Sequence, residues 1–384
     1  MKLIPLILSN FKRHKLRTIL TILSIIVAFI LFAYLSAIRN AFRAGITVAG
    51  ADRLITRNRV TLIQPLPKAY ESQIEQIPGV SIVTKASWFG GIYQDKPQAF
   101  PQIAVDPDEF LQVYPEFILT ADEKKAWDAT KTGCIVGKKV AEKYGFKVGD
   151  KIPIKATFNT PKSGGSLWTF DVVGIYHGAK PETDETTMYF RHDYLEENRL
   201  RGEGLTGWYY LKIADPKKAE EIVRRVDERF ANSPYETKTE TEKAFMRGFA
   251  EQAGNIGAIV VFILTAVFFT ILVVAANTMA QAVRERIGEL GVLKAIGFTD
   301  GQMLGLILAE SLLIALIGGA VGLALGASFV KKGDPTGGGL PAFLLPTTDF
   351  LMGVAFVILL GIITGLWPAL QAMRLNAVDA LRRE

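Results

Sequence analysis

The chain has 384 residues, 49% of them hydrophobic, with a mean hydropathy of +0.23 and a formal net charge of +6. A soluble globular protein of this length is usually more polar, so the composition argues against a wholly water-soluble fold and points to a lipid bilayer. The positive balance does not indicate nucleic acid as a partner: residues 41–253 carry 30 Lys and Arg against 30 Asp and Glu, so the excess belongs to the segments flanking the apolar runs.

Residues 1–17 open the chain. Leu3, Ile4, Leu6, Ile7, Leu8 and Phe11 precede the cluster Lys12-Arg13-His14-Lys15, a pattern that suits a helix lying at the inner membrane surface; the alternative is a plain basic flank. Residues 18–40 form an apolar run of bilayer-spanning length, about 20 residues, with no small-x-small cleavage site, and are expected to be retained as a span rather than removed as a signal peptide.

Residues 41–253 are long enough for a folded domain with its own core. Two halves, about 50–95 and 205–245, read alike. In the first, residues 53–63 are extended, 67–76 helical, and 80–88 extended again after the turn signal Pro78-Gly79. In the second, Trp208–Ile213 is strand-like, Asp215 caps a helix that begins at Pro216, and residues 235–241 return as a strand. Each half reads as a split βαβ unit. Between them, residues 96–204 read as an inserted β-rich lobe. Its runs 151–158 and 167–175 flank Pro161-Lys162-Ser163-Gly164-Gly165, a hairpin signal. Cys134 is the single cysteine, so no internal disulfide holds this domain, and its thiol is expected to be buried. Core packing is likewise the expectation for most aromatic residues here, with an amphiphile site as the alternative.

Three further spans follow: residues 254–282, 303–330 and 350–373. A charged segment, 283–302, separates the first two. A loop, 331–349, separates the last two, and a tail, 374–384, ends the chain. The expected fold class is an α-helical membrane protein of four transmembrane helices, with a large α+β extracytoplasmic domain inserted between helices 1 and 2. Basic residues set the orientation. Lys2, Lys12, Arg13, Lys15 and Arg17 precede the first span, Arg284, Arg286 and Lys294 follow the second, and Arg374, Arg382 and Arg383 follow the fourth. Only Lys331 and Lys332 lie in the loop at 331–349. Both termini and the charged segment are therefore expected in the cytoplasm, with residues 41–253 outside.

Within the charged segment, Arg284, Glu285, Arg286, Glu289 and Lys294 alternate with Ile287, Leu290, Val292, Leu293 and Ile296. One reading is a coupling helix whose apolar residues root it against the span ends while its charges meet an ATPase. The other is a solvated charged turn. Gly297 suits a helix stop. In the third span, Gly318, Gly322 and Gly326 fall on one helix face, which lets a neighbouring helix approach closely, as a static contact or as one that moves. Glu310 is an intramembrane carboxylate, and such groups are paired or face polar cavities. It reads as a structural acceptor or as a proton or substrate contact; no second ionisable group at mid-span stands near it in sequence. His14, His177 and His192 lack metal-ligand spacing, and residues 133–139 (GCIVGKK) fall short of a phosphate-binding G-x-x-x-x-G-K-[ST] loop. No catalytic residue and no metal site is expected.

The stretches SNFKRHKLRTILTIL (9–23), CIVGKKVAEKYGFKVGDKI (134–152), the residues NTM, RERIGELGVLKAIG, LAES and GGAVG within 277–322, and WPALQAMRLNAVDALRRE (367–384) together resemble the MacB/FtsX-type (type VII) permeases of ABC transporters. The topology agrees with that family over the whole chain, and the motifs cover about a quarter of it. The resemblance implies a non-catalytic subunit in the bacterial cytoplasmic (inner) membrane. It would work as a homodimer or beside a paralogue, with a cytoplasmic ABC ATPase that holds ATP and Mg while this chain holds no cofactor. A periplasmic adaptor, an outer-membrane channel and membrane lipids are further implied partners. The implied role is mechanotransmission, export or extraction of an amphiphilic substrate by motion of the outer domain. The alternative is a signalling subunit that regulates an extracytoplasmic hydrolase or a sensor kinase.

Overall fold

The computed structural model describes residues 15–94, 96–97, 99–252, 256–334, 340 and 342–373. The expected surface helix falls mostly on residues 1–14 and the basic tail on 374–384, and both lie outside the described residues. In chain order the elements are α1 (Lys15–Val48), β1 (Arg53–Asn58), β2 (Leu66–Pro67), α2 (Tyr70–Glu75), β3 (Val80–Trp88), β4 (Gly91–Tyr93), β5 (Lys96–Pro97), β6 (Gln102–Val105), α3 (Pro107–Val113), β7 (Phe117–Ile118), α4 (Ala121–Ala129), β8 (Gly133–Gly137) and α5 (Lys138–Tyr144). There follow β9 (Lys151–Ala156), β10 (Leu167–Gly178), β11 (Met188–Arg191), α6 (His192–Asn198), β12 (Leu205–Thr206), β13 (Trp208–Ile213), α7 (Ala219–Arg229), β14 (Thr237–Thr241), α8 (Glu242–Gln252), α9 (Ile256–Arg284), α10 (Ile287–Ala295), α11 (Asp300–Lys331) and α12 (Thr347–Met373). The chain divides into a helical unit, drawn from Met1–Asn40, Ile256–Gly333 and Phe343–Glu384, and an α+β unit, drawn from Ala41–Asn255 and Asp334–Ala342.

In the helical unit, α1, α9, α11 and α12 are each long and apolar enough to cross a membrane. Here α12 packs against both α9 and α11, and α11 is the most enclosed of the four. It starts before the expected span, at Asp300, because Thr299 and Gln302 form a reciprocal capping box: the Gln302 amide donates to Thr299 Oγ1 at 3.3 Å and the Thr299 amide to Gln302 Oε1 at 3.0 Å. At its far end, α1 contributes Arg39, whose Nη2 lies 2.8 Å from Asp349 Oδ2 in the first turn of α12. A carboxylate is favoured at that position by the helix dipole.

The α+β unit is organised by a sheet of strand order β14-β1-β13-β3-β6-β11-β8-β10-β9-β4-β5. β13 runs antiparallel to both β1 and β3, and β1 antiparallel to both β13 and β14. The units β1-α2-β3 and β13-α7-β14 are therefore each split by a strand of the other, an interlocked pair of split βαβ units. Strand alternation sorts the side chains onto two faces. Leu54, Tyr209, Leu211 and Ile213 pack with Ile74 of α2 and Ile222 and Val226 of α7. Ile55 and Trp208 point the other way, towards Phe110 and Val113 of α3 and Trp127 of α4.

The inserted segment holds more helix than its β-rich sequence suggested, since α3 to α6 all lie within it. Its sheet also recruits β4, which pairs with β9 and so joins the lobe although its sequence position is in the first half. The β9–β10 hairpin pairs Lys155 with Leu167, and Gly164 and Gly165 take φ of +87° and +75° in the loop between them. Cys134 is fully buried, and that burial pushes its thiol pKa up.

His192, the first residue of α6, is buried with Nε2 3.0 Å from Ser87 Oγ. Burial, reinforced by Lys85, Arg199 and Lys68, lowers its pKa to about 3. The unfolded chain binds this proton near pH 6.5 while the folded domain does not, so stability is retained above pH 6.5 and lost as pH falls from there towards 3. Between pH 6.5 and 4.5 the loss assigned to His192 is about 2 kcal/mol. We expect His192→Asn to flatten that part of the profile, measured by urea unfolding followed through tryptophan fluorescence, since four of the five tryptophans (Trp88, Trp127, Trp168 and Trp208) lie in this domain.

Candidate functional site

The charged segment folds as α10, a helix of nine residues between the end of α9 and the start of α11. It stops at Ile296, and Gly297 follows with φ +106°, the left-handed conformation that closes a helix without a Cβ clash. Leu290 is the apolar root of α10: it is buried in a cluster with Val283 of α9, Met303 and Ile307 of α11, and Ala369 and Ala372 of α12.

The charges divide into two groups, and the division corrects the expectation that all of them face outward. Arg286 turns inward: its Nη1 donates to Glu310 Oε2 at 2.9 Å, and the two side chains are only 13% and 8% exposed. Glu310 therefore has an ionisable partner after all, supplied by the helix cap and not by another span. It lies ten residues into α11, about 15 Å along the helix axis. A polar cavity of about 70 Å³ adjoins the pair, lined by Arg17, Thr21, Glu285 and Glu289 among others. Lys294 is also turned inward. Its Nζ donates to the Met373 carbonyl at 2.7 Å and lies 2.8 Å from Asp300 Oδ1, so one cation fastens the end of α12 to the start of α11. A further bridge joins Arg17 Nη1 of α1 to Glu285 Oε2 at 2.9 Å.

What α10 leaves on the outside is Arg284, Glu285 and Glu289, together with Val292 and Ile296, which are 45% and 73% exposed. The sequence reading assigned both apolar residues to the root. The helix has one narrow root centred on Leu290 and Gly291, and at 3.6 residues per turn the positions two and six beyond Leu290 point away from it.

Gly318, Gly322 and Gly326 face α1. A Cβ on Gly318 would lie 2.8 Å from Ile25 Cβ, one on Gly322 2.7 Å from the Ile26 carbonyl oxygen, and one on Gly326 2.6 Å from Ala33 Cβ. These approaches are closer than real Cβ atoms make, so the α1–α11 contact requires glycine at all three. A second set of small residues, missed in the sequence, joins α11 to α12: a Cβ on Gly361 would lie 2.9 Å from Leu312 Cα, and one on Gly365 2.0 Å from Ser311 Oγ. The signal was the four-residue spacing Gly353, Val357, Gly361, Gly365 in the fourth span. Among the described residues, no group of three or more His, Cys, Asp or Glu side chains is placed to hold a metal ion.

With this geometry in place, the comparisons with known proteins are specific. Residues 18–229, more than half of the chain, match the model of the MacB-like periplasmic core domain, and residues 258–377 match that of the FtsX-like permease C-terminal region. An uncharacterized ABC transporter permease of Methanocaldococcus jannaschii is 24% identical over 98% of this chain and 96% of its own length. The uncharacterized ABC transporter permease YknZ of Bacillus subtilis is 32% identical over 41% of this chain and 40% of its own. The macrolide export ATP-binding/permease protein MacB of Chromobacterium violaceum is 38% identical over 28% of this chain and 17% of its own. Among solved structures, the periplasmic region of MacB from Actinobacillus actinomycetemcomitans aligns with 53% of this chain and 95% of its own, at 10% identity and a TM-score of 0.38.

Two substitutions follow from the packing of α11. Gly322→Leu places an isobutyl group against the α1 backbone, and overpacking of this kind costs about 1–3 kcal/mol; Arg286→Met leaves Glu310 buried without its partner, a change worth about 3–5 kcal/mol. We expect both to reduce the fraction of monodisperse protein that survives heating in detergent. Gly305→Ala, where the added methyl meets open space, should leave it unchanged.

Proposed function

This chain belongs to the MacB/FtsX-like family of ABC transporter permeases, and on that premise we propose that it is the subunit that receives the work of a separate ATPase at α10 and passes it to the α+β domain. The Arg286–Glu310 pair carries this reading. A push on α10 is not absorbed by a loose turn, because the helix is bonded through Arg286 to α11 and through Lys294 to α12. The outward side of α10 has the composition of a docking surface, an exposed apolar pair with charges around it. ATP and Mg would be held by the ATPase. A second copy of this chain, or a paralogue, would complete the permease, and the exposed apolar face of α9, with Phe262 and Phe269, is available to it or to lipid.

In this reading α10 lies in the cytoplasm and the α+β domain outside, following the basic residues at the α10 end of the bundle. The substrate is an amphiphile taken from the outer leaflet or the outer compartment, since the glycine contacts close α11 against α1 and α12. Nothing in the geometry favours a signalling role over transport.

The docking surface is tested by co-purification. Val292→Glu with Ile296→Glu changes two exposed side chains and leaves the Arg286 and Lys294 bonds of α10 in place, and we expect it to lower the yield of the bound ATPase about tenfold or more, the scale of a lost interface hot spot. ATPase recovered at the wild-type yield would overturn the assignment of α10. Orientation is tested by thiol labelling, for which the buried Cys134 leaves a silent background. We expect a cysteine at Lys162 to react from outside, and one at Ile296 only after permeabilisation. Lys294 is unsuitable because its side chain is bonded inside the bundle.

A further inference from the structure

One buried carboxylate in the α+β domain holds together the two stretches of chain that lead to the membrane helices. Glu242 is the first residue of α8, which ends at Gln252, four positions before α9 begins. Gly50 stands two positions after the end of α1. The Gly50 amide donates to Glu242 Oε2 at 2.9 Å, and Arg53 Nε, on the first residue of β1, donates to the same oxygen at 2.6 Å. Tyr114 OH donates to the other oxygen, Oε1, at 2.9 Å. Arg53 is held a second time by Glu116, with Nη1 2.8 Å from Oε1, and its guanidinium lies 4.5 Å from the centre of the Tyr114 ring. Tyr114 and Glu116 sit between α3 and β7, in the inserted lobe. Three parts of the domain thus meet on one side chain: the outgoing chain, the returning chain and the lobe.

Arg53 and Glu242 are almost fully buried, at 6% and 4% exposure. Burial works against the Arg53 charge, but Glu242 and Glu116 override it and hold its pKa above the usual arginine value. Burial also raises the Tyr114 phenol well above its usual value, with Glu242 adding to the effect, so the hydroxyl remains a donor at any physiological pH. For stability alone an ionic cluster is a poor choice, because well-packed apolar residues of similar volume often serve as well or better. What apolar packing does not supply is a fixed geometry. Five directed contacts on two oxygens and one guanidinium specify the relative positions of three segments, and removing either charge breaks the 2.6 Å ion pair between Arg53 and Glu242.

We propose that Glu242 is the joint through which displacement of the chain ends at α1 and α9 enters the α+β domain, keeping those ends together and passing their motion to residues 96–204 through Tyr114 and Glu116. This rests on the transmission reading given above. The joint stays closed through the cycle; its role is positioning and not catalysis.

The test uses the full chain in lipid nanodiscs with the ATPase that co-purifies with it. Spin labels at Lys162, on the lobe hairpin, and at Arg224, on α7, report the lobe against the base of the domain. Wild type should show an ATP-dependent change in that distance. Glu242→Gln keeps the shape and an acceptor oxygen but removes the charge. It should shrink the change to less than about half, with the ATPase rate within about twofold of wild type. A full-sized change in Glu242→Gln overturns the joint. Absence of any change in wild type would instead sink the transmission reading, and the joint is then decided by hydrogen exchange on the chain itself. Glu242→Gln should accelerate exchange at residues 49–53, 113–117 and 242–245 together, by about tenfold; acceleration confined to α8 would overturn it.

Discussion

The ion pair between Arg286 and Glu310 is the contact on which the helical unit depends. A buried charge without a partner is expensive. The two therefore fix each other, and with them the angle at which α10 leaves the end of α9 and rests on α11. Leu290 fills the space beneath α10, and Lys294 closes the far end onto Met373 and Asp300. A nine-residue helix would be marginal by itself. Here it is a fixed projection of the bundle, with Glu289, Val292 and Ile296 exposed on its outer side.

The rest of the bundle is built to keep α11 in place. Glycines on one side of it admit α1, and glycines of α12 admit it on the other. The contact with α12 brings Ser311 Oγ within 2.8 Å of the Gly361 carbonyl, a polar bond that the close approach makes possible. At the opposite end Arg39 and Asp349 pair α1 with α12. The helical unit is thus held by ion pairs near each end and by small-residue packing between them, which is what a helix bundle in lipid must rely on when hydrophobic burial provides little net drive. The α+β domain follows different rules. Its interlocked βαβ units have two apolar faces in the usual way, and one buried ionic cluster, Arg53 with Glu242 and Glu116, stands where the chain arrives from α1 and leaves towards α9.

Much of this could be read from the residues, and the parts that could not have a common cause. The four apolar runs are legible by length alone. Val80–Trp88 and Trp208–Ile213 carry enough alternation and β-branched or aromatic content to be read as strands, and the Asp215 side chain accepts from the Lys217 amide as a cap should. The helices of the lobe are seven to nine residues long, too short for a periodic signal. One of them was nonetheless marked: Thr120 and Glu123 form a capping box ahead of α4. The ion pairs are a different matter. Arg286 and Glu310 are 24 positions apart, and Arg39 and Asp349 are 310 apart. One sequence carries no record of such pairings. For the same reason the inward turn of Arg286 and Lys294 was missed, since each looks in sequence like an ordinary surface cation on a charged helix.

The central claim is that α10 transmits force because Arg286 is bonded to Glu310, and a charge swap tests it most directly. Reversing the pair, Arg286→Glu with Glu310→Arg, preserves an ion pair at the same place, whereas each single reversal puts two like charges against each other in a buried site. Nucleotide-dependent movement of the α+β domain should be recovered in the double variant and lost in both single variants, with a coupling energy of about 1–3 kcal/mol in the double-mutant cycle. Single variants that fold and couple as the wild type does would contradict the account.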